Sequence, residues 1–281
     1  MEFEKIDYNS PASVSSFLES YGFSMQKRFG QNFLVSSVFR HRIADVIEVS
    51  PDMRVWEIGP GIGSLTSLLI DKIDDLCVFE IDRGFVKILS SLFPSCRIIE
   101  GDFLKTWMGE FNRGMPDFIV GNLPYNVGTV IVLELLKNAC IVPSVFMFQK
   151  EVARRFVADR GDEFYGALSL VMSFFYERIF CFDVPASAFW PRPRVVSSVV
   201  KLVPKEVLPV SSSEIGCFVR FVFELFSYRR KSLRNVLKAL PYFKTASEVD
   251  SFLDDVGLDG SLRAEVIEPD VFLNMWKLLG A

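Results

Sequence analysis

Residues Val55–Ser64 read VWEIGPGIGS and join a short apolar strand to a glycine-rich loop. Gly59, Gly61 and Gly63 alternate with other residues there, and glycine permits tight turns and a close approach of the backbone to a ligand. A dinucleotide-binding fingerprint needs Gly or Ala as the sixth residue counted from Gly59, but Ser64 stands at that position. The loop alone is weak evidence, so the neighbouring segments must decide which ligand it takes.

Strand and helix patterns alternate along the chain around this loop. Runs rich in β-branched and aromatic residues predict strands in MRVWEIG, DLCVFEID, CRIIEGDF, PDFIVGNLPY and SVFMFQK. Helical patterns follow in SLTSLLIDKI, GFVKILSSLF, TVIVLELLKNA and EVARRF. Later, FYERIFCFDV and SSVVKLVP predict two more strands that would form an antiparallel hairpin and close one edge of the sheet. The order predicts an α/β fold with a mostly parallel sheet covered on both faces.

The chain divides into three predicted regions. Residues 1–50 are mixed and partly helical, with an amphipathic helix over 37–49. The α/β pattern occupies residues 51–204, and PKEVLPVSSSE then has the proline and serine content of a linker. Residues 205–281 have helical spacing throughout, which predicts a small all-α domain.

Basic residues recur along the first helix predicted in this C-terminal region. The apolar spacing predicts one helix over 214–240, followed by two or three short helices over 247–279. Arg230, Arg234 and Lys238 are four residues apart, so a continuous helix would place them on one face.

Two acids follow the loop, each at the end of a predicted strand. Glu80 ends FEID, and a carboxylate there suits the two hydroxyl donors of a ribose. Asp102 ends EGDF, where a carboxylate could accept from the amino group of an adenine. The ordered set is similar to that of class I S-adenosylmethionine methyltransferases. The plainer alternative is that both acids are helix caps or surface acids.

The fourth predicted strand ends in Asn122-Leu123-Pro124-Tyr125, which contains neither acid nor base. An exocyclic amine on a nucleobase is a poor nucleophile, and two acceptors aimed at its hydrogens would localise its lone pair. The Asn122 side-chain oxygen is one acceptor. The other is the carbonyl of Leu123, which is biased to an extended conformation by Pro124. Tyr125 offers a face on which a flipped base can stack. The alternative is a turn with an Asn cap.

Charge is unevenly distributed in this acidic chain. The net charge is -4 and the pI about 5.3, yet three segments, 25–42, 190–205 and 227–244, contain basic residues and no acid. Such segments can bind a polyanion locally, or they can be ordinary solvated faces.

Several classes of site are disfavoured by composition. The five cysteines are widely spaced without a C-x-x-C pair, and His41, on a predicted surface helix, is the single histidine, so we predict no metal site. The N-terminus lacks a signal-peptide pattern, and no apolar run reaches the roughly 20 residues of a membrane span. We expect a cytoplasmic monomer with reduced thiols.

The chain resembles the ribosomal RNA adenine N6,N6-dimethyltransferases, specifically the small-subunit dimethyladenosine transferases. The resemblance is carried, in order, by KRFGQNFL, EIGPGIGSLT, FEID, GDFLK, GNLPYNVGT, FMFQKEVARRF, FWPRPRVVSSVVKL and FSYRRKSLRNVL. It implies a class I S-adenosylmethionine-dependent fold, Rossmann-like with a mostly parallel seven-stranded sheet, and a C-terminal all-α RNA-binding domain. It also implies dimethylation of two adjacent adenosines in a hairpin near the 3′ end of 16S rRNA and a role in small-subunit maturation.

The resemblance also implies roles for individual residues. Catalysis would involve the Asn122–Tyr125 tetrapeptide, with Phe189 stacking on the target base opposite Tyr125. The residues expected at S-adenosylmethionine are Gln31, Asn32, Leu34, Gly59, Gly61, Glu80, Asp102 and Asn122. Combined with this chemistry, the acid-free basic segments predict RNA phosphate contacts around the pocket mouth by Lys27, Arg28, Arg192, Arg194, Arg229, Arg230, Lys231, Arg234 and Lys238. Trp190 departs from the family, where smaller residues are usual, and the N-terminal extension is longer than typical.

Other functions remain open from the sequence. A large-subunit rRNA adenine methyltransferase conferring antibiotic resistance shares the Asn-Pro-Tyr type of motif. A DNA adenine methyltransferase is less favoured, because an acidic Asp/Asn-Pro-Pro-Tyr version is commoner there. The chain could instead be chiefly an assembly factor that binds ribosomal subunits, or an NAD oxidoreductase that uses the same glycine loop.

Overall fold

A computed structural model describes residues 6–22, 32–124, 126–228 and 230–280. Predictions for Lys27, Arg28, Gln31, Tyr125 and Arg229 therefore lie outside the described residues.

The strands are β1 (Phe33–Leu34), β2 (Arg54–Ile58), β3 (Asp75–Glu80), β4 (Arg97–Glu100), β5 (Phe118–Asn122), β6 (Ser144–Gln149), β7 (Tyr176–Val184), β8 (Phe189–Trp190) and β9 (Ser197–Pro204). The helices are α1 (Pro11–Ser20), α2 (Ser37–Val46), α3 (Thr66–Leu69), α4 (Arg83–Leu92), α5 (Phe103–Phe111), α6 (Gly128–Lys137), α7 (Lys150–Val157), α8 (Ala167–Phe175), α9 (Ile215–Phe226), α10 (Leu233–Leu237), α11 (Ala246–Val256) and α12 (Pro269–Leu278).

The main sheet has seven strands in the order β4-β3-β2-β5-β6-β9-β7. Strands β2 to β6 pair in parallel, and β9 runs antiparallel to β6. The predicted fold class is thus confirmed. Strands β7 and β9 are neighbours at one edge of the sheet, where β9 lies between β6 and β7. Parallel register aligns the carboxyl ends of the strands, which is where open α/β sheets bind ligands.

Buried valines recur across the strands of this sheet. Val55, Val78, Val120, Val145 and Val199 come from five different strands and are at most 1% exposed. Their branched side chains pack well on a pleated surface, and strands buried on both faces need few polar positions. The polar residues that do occur at strand ends therefore call for a specific explanation.

A second sheet has only two short strands, β1 and β8, which pair antiparallel. Phe33 lies opposite Trp190, and Leu34 opposite Phe189. This pairing brings the NFL segment to the FWPRP segment, which are far apart in the sequence. Neither strand has the length or alternation that would have predicted it.

The chain forms two compact units whose boundaries differ from the predicted ranges. The first comprises Met1–Glu134, Val142–Ala153 and Ile179–Val203; the second comprises Leu135–Ile141, Arg154–Arg178 and Pro204–Ala281. Two segments predicted within 51–204 thus belong to the helical unit.

Aromatic packing explains why α8 belongs to the helical unit. Phe174 and Phe175 at its end pack edge-on against Phe218 of α9, with ring centroids 5.2 Å and 6.3 Å away. Trp276 of α12 contacts the same ring at 5.9 Å. Since no linker composition marks residues 154–178, these long-range contacts could not be predicted from the sequence.

The single helix predicted over 214–240 is wrong, because α9 ends at Phe226 and α10 begins at Leu233. The backbone N–H groups of Leu233 and Arg234 donate to the carbonyls of Leu262 and Gly260, not to the preceding turn. Arg230, Arg234 and Lys238 therefore do not share one helical face.

Three other helices differ from the sequence prediction, and one region agrees with it. Helix α3 is much shorter than SLTSLLIDKI, and neither α5 nor α8 was predicted. Over 247–279, α11, α12 and a short 3-10 turn confirm the predicted short helices. Within the described ranges, no helix is long and apolar enough to cross a membrane.

Candidate active site

One cavity at the carboxyl edge of the sheet collects the described residues predicted at the cofactor. Its lining includes Asn32, Leu34, Gly59, Gly61, Glu80, Asp102 and Asn122. Leu123 and Pro124 line it too, so the first three residues of the tetrapeptide and the glycine loop face a common space. Their individual roles stay predictions, but the sequence correctly indicated that they lie together.

The glycine loop passes close to the end of β5. Gly59 and Gly61 have positive φ angles of 71° and 59°, which favour glycine. A Cβ atom at Gly59 would lie 3.3 Å from the Asn122 carbonyl oxygen, which is tighter than most real contacts. Glycine at this position thus lets the loop and the tetrapeptide approach each other.

Replacing Gly59 with Ala should lower methyl transfer by roughly 10-fold or more, because small displacements of reacting groups are costly. The matched control is Gly257→Ala in the helical unit, where φ is 74° and nothing lies within 4 Å of the added carbon. Both variants carry backbone strain of about 1–2 kcal/mol, but only Gly59→Ala presses on Asn122. Melting temperature and labelled-methyl transfer measure the two effects. Equal activity losses in both variants would contradict the proposed contact.

Glu80 ties the glycine loop to β3. Its Oε2 accepts from the Gly61 N–H at 3.0 Å and its Oε1 from the Asp82 N–H at 2.9 Å. The side chain is only 6% exposed, yet it lines the cavity. An ionised carboxylate has about four acceptor positions, so acceptor capacity remains for two ribose hydroxyls.

Glu57 is a second buried carboxyl at the cavity, and the sequence interpretation missed it. It is 2% exposed, and its Oε2 accepts from the Thr66 hydroxyl at 2.7 Å. Burial raises the pKa of Glu57 to about 7. The hydrogen bond from Thr66 lowers this pKa, whereas the negative charge of the neighbouring Glu80 raises it further. An acid inside an otherwise apolar strand, two residues before Gly59, was the available signal.

Cofactor binding should weaken in acid because of Glu80. Burial raises the pKa of Glu80 to about 7, although hydrogen bonds from the Asp82 and Gly61 N–H groups oppose the rise. A raised carboxyl pKa means that the proton binds as the pH falls through 7, and a protonated carboxyl is a poorer acceptor for a ribose diol. We expect the Kd for S-adenosylhomocysteine to rise by up to about 10-fold per pH unit below 7. Calorimetric titration across this range measures it, and a flat profile would contradict the role of the carboxylate.

Asp102 is a helix cap and also lines the cavity, and its contact with adenine stays a prediction. Its Oδ1 accepts from the Leu104 N–H at 3.1 Å and so caps α5, while the residue also lines the cavity. Ile81 and Phe103 line the same part of the cavity, and Ile81 is 47% exposed. An exposed apolar side chain between acidic residues provides a wall for a flat ring such as adenine. The sequence interpretation missed Ile81 and Phe103, although they directly follow the predicted acids Glu80 and Asp102.

The tetrapeptide begins where β5 ends. Asn122 is half-buried at the cavity, and the Leu123 N–H donates to the Met147 carbonyl at 3.3 Å. The Pro124 carbonyl accepts from Val127 and Gly128 at the start of α6. Within the described part of the chain, no backbone N–H donates to the Leu123 carbonyl. This carbonyl and the Asn122 side chain are therefore two acceptors at one strand end, and their contact with an amine substrate stays a prediction.

Phe189 is buried, and its stacking on the target base stays a prediction. It pairs with Leu34 through β8, is 4% exposed and packs in the hydrophobic core. It is not among the residues that line the cavity. Trp190 beside it lies opposite Phe33 and is partly exposed.

The predicted RNA contacts fall into both units. Arg192 and Arg194 of the first unit are exposed. In the helical unit, Arg230, Lys231 and Lys238 are exposed, whereas Arg234 forms a two-bond ion pair with Asp250 at 2.5 Å and 2.6 Å. Arg234 is thus partly committed to its own domain, and its contact with RNA stays a prediction.

The fold and the cavity together define a class I S-adenosylmethionine-dependent methyltransferase. The residues present fit this cofactor, since a glycine loop, a buried carboxylate, apolar walls and a second acid match a ribose and an adenine. The described residues contain no group of three His, Cys, Asp or Glu that could hold a metal ion.

Comparison with known proteins narrows the class. The family model described as ribosomal RNA adenine dimethylase matches residues 22–279. Ribosomal RNA small subunit methyltransferase A of Treponema denticola is 37% identical over 98% of this chain and 96% of its own length. The chain belongs to the ribosomal RNA adenine dimethylase family, which confirms the predicted resemblance and removes the NAD oxidoreductase alternative.

Solved structures agree with this fold. A dimethyladenosine transferase from Plasmodium falciparum has a TM-score of 0.74 and 24% identity, covering 87% of this chain and 97% of its own. The 23S rRNA methyltransferase ErmE has a TM-score of 0.64 and 25% identity, covering 89% of this chain and all of its own. The large-subunit alternative therefore has structural support, but weaker sequence support.

Proposed function

We propose that this protein dimethylates N6 of two adjacent adenosines in a hairpin near the 3′ end of small-subunit rRNA. The observation that carries the proposal is the common cavity of Glu80 and Asn122, which sets two acceptors for an amine beside a cofactor site. The name of the Treponema denticola relative supports the small subunit as the source of the RNA.

S-adenosylmethionine, when bound, supplies an activated methyl group, so the protein does not need a strong nucleophile of its own. The Asn122 oxygen and the Leu123 carbonyl accept hydrogen bonds from the adenine amine and direct its lone pair toward the methyl group. The amine then loses its extra proton to water. His41 is exposed on α2 and hydrogen-bonds to Ser37 of the same helix, so it takes no part.

The target adenosine must leave its stack to reach this cavity, at a cost on the order of a few kcal/mol. Arg192, Arg194, Arg230, Lys231 and Lys238 offset that cost through phosphate contacts, which position RNA without reading its sequence. Selection then depends on RNA shape, and the proposed substrate is an immature small subunit in the cytoplasm.

The experiment offers the purified protein labelled S-adenosylmethionine with unmethylated small subunits, large subunits, naked small-subunit rRNA and duplex DNA in parallel. Mass mapping then locates the modified bases. We expect two adjacent dimethyladenosines on small subunits alone. Light scattering of the purified protein should show a monomer. Modification of large subunits would favour the resistance-type alternative. Lack of transfer to every acceptor, with normal S-adenosylhomocysteine binding, would refute the proposed activity.

A primarily structural role in assembly is the second candidate, since exposed basic residues can bind a subunit without chemistry. A strain carrying a catalytically inactive variant at normal abundance separates the two roles. Growth like that of a full deletion would favour catalysis, whereas growth like the parent strain would favour binding.

A further inference from the structure

The N-terminal segment contacts the cofactor loop directly. The Tyr8 hydroxyl donates to the carbonyl of Ile62 at 3.0 Å. Both residues are buried, Tyr8 at 9% and Ile62 at 1% exposure. Ile62 lies between Gly61 and Gly63, so this hydrogen bond holds the middle of the glycine loop. A contact between residues 54 positions apart requires the N-terminal segment to pack on the α/β unit.

Arg40 contacts the end of the same loop, the following helix α3 and the N-terminal segment. Although it belongs to an acid-free basic segment, it is 4% exposed and thus not a surface contact for RNA. Its Nε donates to the Ser64 carbonyl at 2.9 Å and its Nη2 to the Ser67 hydroxyl at 2.8 Å. Its Nη1 donates to Asn9 at 3.0 Å, and its guanidinium lies 4.8 Å from the ring centroid of Tyr8. One side chain therefore links the N-terminal segment to the loop.

The buried guanidinium of Arg40 does more than fill space in the core. Among the described residues, no carboxylate lies within ion-pair distance of Arg40. A buried charge is costly unless its donors are satisfied, and here neutral oxygens and an aromatic face satisfy them. Burial accordingly lowers the pKa of Arg40. An apolar side chain would fill the space at lower cost, so the hydrogen bonds to the loop are the feature that needs a reason.

The loop is held from two directions. On the cavity side, Glu80 accepts from the Gly61 N–H, and Glu57 accepts from the hydroxyl of Thr66, which begins α3 just after the loop. On the other side, Tyr8 and Arg40 bind the Ile62 and Ser64 carbonyls. The first pair acts where a cofactor binds, whereas the second fixes the backbone behind it.

We infer that Tyr8 and Arg40 are positioning residues that hold the glycine loop in its cofactor-binding conformation. They act through the loop, so they set the affinity for the cofactor and leave the methyl-transfer step unchanged. Tyr8 and Asn9 of the N-terminal extension thereby become part of the support of the cofactor site. This inference rests on S-adenosylmethionine binding in the cavity and not on which RNA is methylated.

The test compares Tyr8→Phe, Arg40→Lys and Arg40→Gln with Arg42→Gln as the matched control. Arg42 lies on the same helix, but its guanidinium stacks on the rings of Phe182 and Phe39 and not on the loop. Calorimetry measures the Kd for S-adenosylhomocysteine, and labelled-methyl transfer on small subunits gives kcat and KM.

We expect Tyr8→Phe to raise the Kd about 3–10-fold, the effect of one lost hydrogen bond. Arg40→Gln should raise it by more than about 10-fold, with partial rescue in Arg40→Lys. The kcat at saturating cofactor should stay within about twofold of wild type, because an interaction that affects binding alone leaves kcat unchanged. Arg42→Gln should leave the Kd unchanged.

Unchanged Kd values in Tyr8→Phe and both Arg40 variants, with wild-type binding intact, would overturn the inference. So would a lower kcat with an unchanged Kd. Tyr8→Phe preserves the ring and the packing, so it decides the matter even if the Arg40 variants do not fold. Failure of the wild-type protein to bind S-adenosylhomocysteine would instead refute the proposed function.

Discussion

Replacing Asn122 with Ala is expected to lower kcat for methyl transfer by about 10²–10³-fold, as for other preorganised polar groups at reacting centres. The change removes one of two acceptors that direct the lone pair of the adenine amine, at the end of β5. The Leu123 carbonyl remains, which is why some activity should survive. Labelled-methyl transfer at saturating cofactor and RNA measures the effect.

Two further variants make this result specific. Asn122→Asp retains an acceptor oxygen at the same position, so it should keep more activity than Asn122→Ala. Asn126→Ala makes the same truncation at an exposed residue of the same loop and should cost less than about 10-fold. A loss in Asn122→Ala that is matched by an equal loss of S-adenosylhomocysteine affinity would show that Asn122 serves binding and not the transfer step.

The part of the site that the sequence predicts best depends on strand order. Glu80, Asp102 and Asn122 each end a strand, and parallel pairing brings such ends to one edge whatever the details of packing. A pattern of strand, loop and acid is local, so it can be read from the sequence. Glu57 escaped notice because its contact with Thr66 crosses from a strand to a helix.

The features that the sequence did not predict depend on distant contacts. The helix over 214–240 has the right spacing, but Leu233 and Arg234 bond to residues 260–262 and interrupt it. Phe189 is buried in a two-strand pairing with Leu34 that no sequence pattern predicted. Arg40 looked like a surface charge, although four contacts bury it against Tyr8, Asn9 and the loop. In each case a tertiary contact decided between two conformations that are locally acceptable.

Replacing Glu80 with Gln is expected to raise the Kd for S-adenosylhomocysteine by about 10²-fold, since hydrogen bonds to a charged group contribute about 1.5–3 kcal/mol each. Glutamine has one acceptor oxygen, whereas the Gly61 and Asp82 N–H groups occupy both oxygens of Glu80. One of these N–H groups would then face an amide that can only donate, and a ribose diol would compete for the single oxygen left. The variant therefore weakens the hydrogen bond to the glycine loop and also loses acceptor capacity for the cofactor.

Glu100→Gln is the matched control, because Glu100 lies opposite Glu80 in the register of β3 and β4. Its carboxylate pairs with Arg83 near the surface and does not line the cavity, so the Kd of Glu100→Gln for S-adenosylhomocysteine should match wild type.

The difference in Kd between wild type and Glu80→Gln should also depend on pH. Below pH 7 the wild-type Glu80 gains a proton and comes to resemble glutamine, since burial raises its pKa to about 7. The gap in Kd between wild type and Glu80→Gln should therefore narrow as the pH falls from about 8 to 6. A gap of constant size would mean that the ionised carboxylate is not what the cofactor recognises, and that Glu80 acts only by holding the loop.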